Sequence, residues 1–340
     1  MANKVTIYHI AEKLSISPST VSRALANNTN VHVETRKMVI ATATKMGYMF
    51  PKTNTNAHTV AIIVPEINNY FYSHVLSAIQ HTIHHNFLVS ILCSFNSIQV
   101  EREIVAMLNP SQIRCLIISQ TMDADDSSHL QEAENRGIPV VLFNRVNYNH
   151  AAPKFVIDNY MDSFMLTNHL ITSGFRKVAF AAKHYHCPIY KERVQAYKNV
   201  LDKYDITFNP DYLIYSELTL EDTYEVIHRF INLKNRPDAM ILPNFVSALQ
   251  AISIAKIYNI SVPEEMAIVS FDETPESKYS TPTITGIERP CLEMGKDIGK
   301  FVLSICQESS YNRDTMKIFR SNLIIRGSSL SNLTSPDFKD

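Results

Sequence analysis

The sequence predicts a chain in two parts: an N-terminal all-α helix-turn-helix domain over residues 1–50, and an α/β core of two parallel-sheet subdomains over residues 59–330. Three observations predict it. Residues 6–25, TIYHIAEKLSISPSTVSRAL, describe two short helices joined by a tight turn. From Thr59 onward, short apolar runs alternate with amphipathic stretches, the pattern of βαβ units. Charge is divided at the same place. Residues 1–58 hold seven lysines and arginines against two glutamates, a net +5, which leaves −6 on the rest of a chain whose total is −1. A basic module on an acidic body is what phosphate contacts would ask of one part and not of the other.

In the first helix Thr6 suits the N-cap, and Ile7, Ile10, Ala11 and Leu14 fall at i, i+3, i+4 and i+7 on one apolar face. Ser15-Ile16-Ser17 interrupts that pattern. Ser17 suits a second N-cap, and Pro18 suits the first helical position, where its missing N–H has no intrahelical partner to lose. Val21, Ala24 and Leu25 then point inward, and Ser19, Thr20, Ser22 and Arg23 outward. Small hydroxyls let a helix approach a duplex closely, and an arginine can hold a phosphate or the edge of guanine. The candidate DNA-contacting residues are Thr6, Tyr8, Ser17, Pro18, Ser19, Thr20, Ser22, Arg23 and Asn27, with Ser19 as base reader. A third helix spans about Val33 to Met46 and stops at Gly47. Residues 51–58, Pro51 followed by KTNTNAH, read as a polar hinge.

In the body the apolar runs are Val60–Val64, Leu88–Leu92, Cys115–Ile118, Pro139–Phe143, Phe155–Ile157, Val178–Ala181, Leu213–Tyr215, Ala239–Leu242 and Ala267–Phe271. Helical stretches lie between most of them: Phe71–His85, Asp162–Ser173, Lys191–Tyr204 and Val246–Tyr258. These are too many strands for one compact sheet, so two similar halves are expected, with the switch near Asp158. Ligands in such folds sit beyond the carboxyl ends of the strands, here in the cleft between halves. Residues 331–340 form a polar tail without leucine heptads, which argues against a tetramerising coiled coil.

Composition narrows the function classes. No apolar run reaches the roughly 18 residues of a membrane span, and the start MANKVT carries no apolar signal segment, so a cytoplasmic location is expected. The five cysteines are scattered and form neither metal spacing nor a disulfide framework. None of the seven glycines builds a phosphate-cradling GxGxxG or GxxxxGK[ST] loop. Gly295 and Gly299 have GxxxG spacing, but Glu293, Lys296 and Asp297 make that helix polar and exclude a membrane pair. His81 and His85 stand at i and i+4 with no third ligand in view. Asp123, Asp125 and Asp126 lack the spacing of a calcium loop. No catalytic residue, metal site or cofactor is expected.

The N-terminal block resembles the DNA-reading unit of the lactose repressor (LacI/GalR) family of bacterial transcription regulators. The residues that carry the likeness are Val5-Thr6-Ile7, Ile10-Ala11, the run Ser15 to Leu25, Glu34-Thr35-Arg36 and Gly47-Tyr48. In the body they are Ala61 to Pro65 with Asn69-Tyr70-Phe71, Val156 to Asn159, His169-Leu170-Ile171 with Gly174, Arg193 with Tyr197, Pro237-Asp238-Ala239, Pro263, Ile268 to Asp272, Thr281-Pro282, Pro290 with Gly295, and Leu323 to Ser329. The resemblance implies a periplasmic-binding-protein-like core whose chain crosses back near its end. Subdomain 1 would comprise about 59–158 and 290–320, and subdomain 2 about 159–289 and 321–330. It implies a homodimer on a pseudo-palindromic double-stranded DNA operator, most simply a repressor, that answers to a small-molecule effector, a sugar or sugar derivative. The positions matching effector contacts are Arg193, Asp272, Asn244, Phe71 and Asp158.

The chain also departs from that family. Asp162 and Ala196 stand where it usually has glycine, Tyr224 replaces a small residue, Asn144 replaces a frequent aspartate, and Phe245 follows Asn244. Bulk at these places could narrow the cleft, change its ligand or leave it empty, and a regulator whose cleft no longer takes a small molecule, answering to a protein partner instead, is one rival reading. The hinge lacks the leucine that would wedge the minor groove, so recognition should rest on the major-groove helix. A second rival is an α/β enzyme or sugar-binding protein with an appended helix-turn-helix. An enzyme would need a phosphate loop or a partnered catalytic base, and a solute-binding protein a signal peptide in place of residues 6–48.

Overall fold

The computed structural model describes residues 5–25, 31–48, 58–122, 126–183, 188–307 and 311–330. The chain separates into two compact units, residues 1–58 and 59–340.

The first unit holds α1 (Ile7–Leu14), α2 (Pro18–Leu25) and α3 (Val33–Lys45). Its core is Ile10 and Ala11 from α1, Val21 and Ala24 from α2, Val39 and Ala43 from α3, and Val31 ahead of α3. Thr6 is the N-cap of α1, and its backbone N–H donates to His9 Nδ1 at 3.2 Å. Ser15 ends α1 in the left-handed region, with φ 51°, and so turns the chain into α2. Gly47, with φ 70°, performs the same task after α3 at little steric cost.

The second unit begins with β1 (Thr59–Val64), α4 (Tyr70–Ile83), β2 (Leu88–Cys93), α5 (Ile98–Met107), β3 (Ile113–Ile118), α6 (Ser128–Asn135), β4 (Val140–Phe143) and β5 (Lys154–Ile157). It continues with α7 (Asn159–Thr172), β6 (Val178–Ala182), α8 (Pro188–Lys203), β7 (Leu213–Tyr215), α9 (Leu220–Ile231), β8 (Ala239–Leu242), α10 (Phe245–Ile257), β9 (Ala267–Ser270) and β10 (Thr285–Glu288). It closes with α11 (Cys291–Gln307), β11 (Met316–Phe319) and β12 (Asn322–Ile324).

Two six-stranded sheets result, in the orders β11-β5-β4-β3-β1-β2 and β12-β10-β9-β8-β6-β7. Their central strands are apolar on both faces, as in TVAIIV of β1 and AIVS of β9, because helices cover both sides. Separate clusters of buried residues lie on the two faces of each sheet. The first sheet is parallel throughout. The second is parallel except at its edge, where β12 runs antiparallel to β10. The chain passes between the halves at β5–α7, at β10–α11 and at β11–β12. At the last of these crossings only Arg320 and Ser321 separate two strands that lie in different sheets.

The helix that carries Gly295 and Gly299 is α11, and it packs on α4. A methyl group added at Gly295 would stand 2.6 Å from Ala78 Cβ, and one at Gly299 2.6 Å from Thr82 Cβ. The GxxxG spacing thus serves close helix–helix packing over the first sheet. Among the described residues no helix is long and apolar enough to cross a membrane.

Candidate nucleic-acid interface and ligand cleft

In the first unit, α2 is held from its N-terminus. Ser17 Oγ accepts the Thr20 backbone N–H at 3.1 Å and lies 2.8 Å from both Ser19 Oγ and Thr20 Oγ1. The three hydroxyls form one small network at the helix start, where the Thr20 N–H also donates to the Ser17 carbonyl at 3.0 Å. Pro18 occupies the first helical position and is half-buried, as is Thr20. Ser19, Ser22 and Arg23 are exposed on the side away from Val21 and Ala24. Tyr8 is also exposed, and Thr6 half-buried. Arg36 turns to the protein instead, donating to the Val31 carbonyl at 3.4 Å. The face of α2 therefore offers hydroxyls and a guanidinium that can meet phosphates and base edges. Asn27, most of the hinge at 51–58 and the tail 331–340 lie outside the described residues, as do His184, His186, Asp123 and Asp125.

In the second unit, the two halves enclose a cavity of about 140 Å³. Its wall is built at the carboxyl ends of strands: Glu66 after β1, Asn144 and Arg145 after β4, Lys183 after β6, Asn244 after β8, Asp272 after β9 and Arg289 after β10. Phe71 and Tyr72 of α4, and Tyr190 and Arg193 of α8, also line it. The cavity leads into a mouth of about 690 Å³ that shares Glu66, Asn69, Leu218, Asn244 and Asp272 with it.

Arg193 is buried, 4% exposed. Its Nε and Nη2 both donate to Asn159 Oδ1, at 3.2 and 3.1 Å. Its guanidinium carbon stands 3.9 Å over the Phe271 ring and 5.4 Å from the Tyr190 ring. Burial, and next the neighbouring Arg289 charge, push its pKa down to about 10. Asp272 is fixed through its backbone, whose N–H donates to Ser270 Oγ at 3.0 Å, and its Oδ1 meets Arg289 Nη2 at 3.1 Å. Arg289 in turn lies over the Phe71 ring, 5.5 Å from its centroid, and so ties a crossing segment to the first half. Asn244 caps α10: its Oδ1 accepts from Ser247 N at 2.9 Å and Ser247 Oγ at 3.0 Å.

Of the five sequence candidates for effector contact, Phe71, Arg193, Asn244 and Asp272 line this one cavity, and Asp158 does not. The Asp158 carboxylate caps α7 by accepting the Met161 N–H at 2.9 Å. The departures from the family pattern scatter. Asn144 lines the cavity and donates to Tyr72 Oη at 3.0 Å, and Phe245 lines the mouth. Ala196 is buried inside the second half, and Tyr224 is exposed beside His228, away from the cavity lining, so neither narrows it.

Asp162 is fully buried, and neither carboxylate oxygen has a hydrogen-bond partner. Burial pushes its pKa up to about 6, against the opposing pull of Arg289 and Arg193. Sequence reasoning missed Arg145, Lys183, Tyr190 and Arg289 as wall residues. Their one shared signal is position, just after a strand or early in the helix that follows it. Among the described residues no group of three metal-ligating side chains is found.

Residues 6–50 match the family model described as bacterial regulatory proteins, lacI family, and residues 167–329 match that of a periplasmic binding protein-like domain. The NTD biosynthesis operon regulator NtdR of Bacillus subtilis (strain 168) is 28% identical over 336 residues, covering 95% of this chain and 99% of that protein. The HTH-type transcriptional repressor CytR of Escherichia coli (strain K12) is 28% identical over 329 residues, covering 95% and 96%. Among solved structures, the Lac repressor dimer bound to operator and the anti-inducer ONPF superposes with a TM-score of 0.79 at 18% identity, covering 97% of this chain and all of that one. That last likeness is one of fold.

Proposed function

The chain belongs to the lacI family of bacterial regulatory proteins, a family of DNA-binding transcription regulators and not of enzymes, and from that premise we propose that it is a ligand-responsive repressor in the cytoplasm. It binds a pseudo-palindromic operator as a homodimer, with α2 of each copy in a major groove. Arg23, Ser19 and Ser22 supply phosphate and base-edge contacts. A small polar molecule, a sugar or sugar derivative, enters between the halves of the second unit and alters operator affinity.

The observation that carries this reading is the cavity itself. A buried guanidinium, a carboxylate and a capped amide converge with an aromatic ring at the ends of strands from both halves. Such a wall offers directional donors and acceptors for hydroxyl groups in a place that closure of the halves would tighten. The test is selection from random duplexes followed by footprinting of the enriched site, then titration of carbohydrates against that duplex. A symmetric site whose affinity falls with salt is expected, and a sugar that shifts operator affinity must itself be bound with reciprocally shifted affinity. No enriched symmetric site would remove the repressor reading. An operator affinity indifferent to every small molecule that stabilises the chain would remove the effector reading.

A further inference from the structure

We propose that Asp162, Arg289 and Ser321 form a proton-operated lock on the three crossings between the halves, so that the arrangement of the halves, and through it operator affinity, answers to pH. The operator part rests on the repressor reading above; the lock itself does not.

Each crossing carries a buried polar group without a partner. Asp162 lies in the first turn of α7, just after the β5–α7 crossing, fully buried, and neither carboxylate oxygen accepts a hydrogen bond. Arg289, in the β10–α11 crossing, has its Nη2 on Asp272 at 3.1 Å and its Nε buried with no acceptor. Ser321, in the β11–β12 crossing, is buried, and its Oγ has no partner. The three are neighbours: α7 packs against both β10 and β12, and Arg289 and Ser321 both act on the Asp162 carboxyl. Two donors and an acceptor with two oxygens thus stand together unbonded, in a fold that otherwise satisfies most of its buried polar groups. The lock is distinct from the cavity, whose lining includes Arg289 but neither Asp162 nor Ser321.

The charge of Asp162 decides whether these groups pair. The charged groups that face it are Arg289 from the second crossing and Arg193 from α8, with Asp158 one turn back on its own helix, and Asp272 is paired with Arg289. Arg193 spends its Nε and Nη2 on Asn159, which leaves Arg289 Nε as the donor in want of an acceptor. Burial outweighs both guanidiniums and pushes the Asp162 pKa up to about 6. A neutral carboxyl suits this unpaired arrangement. A carboxylate does not, because it is buried without a bond. A small turn of one half on the other that set Arg289 Nε and Ser321 Oγ against its oxygens would offset part of that penalty, with Arg289 bridging Asp272 and Asp162.

An arrangement that favours the carboxylate holds the proton less tightly. By linkage, rising pH therefore draws the crossings into the paired arrangement, and acid returns them to the unpaired one. If pairing brings the carboxyl back only to its ordinary value, the ratio of the two arrangements changes about fiftyfold between about pH 4 and about pH 7.

The test is hydrogen exchange by mass spectrometry on the full-length chain, without ligand or DNA, between about pH 5 and about pH 7.5 and corrected for intrinsic rates. Wild type is compared with D162N, which cannot ionise, and with S321A, which ionises but lacks one donor. In wild type, protection of the segments spanning the three crossings should rise with pH by at least about tenfold, while that of the sheet interiors does not rise. D162N should show no rise and S321A a smaller one. A carboxylate that only costs stability would lower protection across the whole unit. A profile shared by wild type and D162N overturns the lock, and so does protection at the crossings that falls as pH rises. Should D162N fail to fold, equal rises in wild type and S321A overturn it.

Binding to the selected duplex reads the operator part. Comparing wild type with D162N at each pH cancels the titration of histidines in the first unit. The ratio of their affinities should change by at least about threefold across the same window. A constant ratio overturns the link to DNA. Absence of any symmetric site overturns that link together with the repressor reading, and the exchange profile still decides the lock.

Discussion

Arg193 and Asn159 share two hydrogen bonds, from Nε and Nη2 of the arginine to Oδ1 of the asparagine, at 3.2 and 3.1 Å. Asn159 is the first residue of α7, directly after the chain leaves the first sheet, and its own Nδ2 donates back to the Ile157 carbonyl at 3.1 Å. The candidate ligand-binding arginine is therefore positioned by the segment that joins the halves. Any movement of one half against the other acts on that segment, so the pair links the cavity to the crossing without a further element between them.

Asn159→Ala removes the shared acceptor and leaves Arg193 stacked but rotationally free. Hydrogen bonds to charged groups contribute about 1.5–3 kcal/mol each, though two that share one acceptor do not add fully. The expected loss is about 2 kcal/mol of stability in urea unfolding, with ligand affinity in the cavity reduced about tenfold. Unchanged ligand affinity in calorimetry would mean that Phe271 and Tyr190 alone position the guanidinium.

How much of this was legible in the sequence depends on distance along the chain. Ser17-Pro18 announces the start of α2 because cap and first-turn signals are local, and the run Val60–Val64 announces β1 because both its faces are buried. The strand TGIE of β10 was invisible: four residues, one of them glycine, give neither a run nor an alternation. The short edge strands β11 and β12 escaped for the same reason. In α5, Glu101 breaks the apolar pattern yet is fully buried, because it accepts the Thr121 N–H at 2.8 Å and meets His129 Nε2 at 2.9 Å. The charge balance of the cavity was out of reach from pattern alone. Arg145, Lys183 and Arg289 belong to different strand ends, and only the order of strands in two sheets brings them to one wall.

Two substitutions separate folding from reading in the first unit. Ser17→Ala removes the side-chain acceptor of the Thr20 N–H, which also donates to the Ser17 carbonyl at 3.0 Å, and should lower the stability of that unit by about 1 kcal/mol. Arg23→Ala touches an exposed side chain and should leave the melting temperature within error, while operator affinity falls by about 1–3 kcal/mol. The pair is checked by thermal melts and by binding to the selected duplex. A melting loss in Arg23→Ala as large as its binding loss would assign the residue to folding.

The contact of α11 with α4 sets a steric prediction. Alanine ordinarily improves a helix by about 1 kcal/mol over glycine, but a Cβ at Gly295 would meet the Val75 carbonyl and stand 2.6 Å from Ala78 Cβ. Overpacking a tight site costs about 1–3 kcal/mol, and the backbone carbonyl cannot swing aside as a side chain would. Gly295→Ala is therefore expected to destabilise. Gly299→Ala, which meets the Thr82 side chain only, should do so less. Chemical denaturation of both variants decides it, and a more stable Gly295→Ala would show that the helices can separate at no net loss.

Asp162 gives the chain a pH dependence of unusual sign for an aspartate. Its carboxyl is pushed from the ordinary 3.8 up to about 6, because burial outweighs the attraction of Arg289 and Arg193, helped by the Asp158 charge. Between those two values the folded chain holds more protons than the unfolded one, so stability falls as pH rises. The contribution is fully present below about pH 4 and is lost as pH climbs through about 6. A shift of this size corresponds to roughly 3 kcal/mol. Asp162→Asn keeps the shape and discards the ionisation. In urea unfolding it should be more stable than wild type at pH 7.5, by about 1–3 kcal/mol, and the two chains should converge near pH 4. The opposite result, a variant less stable at pH 7.5 that draws level in acid, would mean that attraction to Arg193 and Arg289 exceeds the penalty of burial. Asp162 would then serve as a net stabilising counter-charge to Arg193 and Arg289.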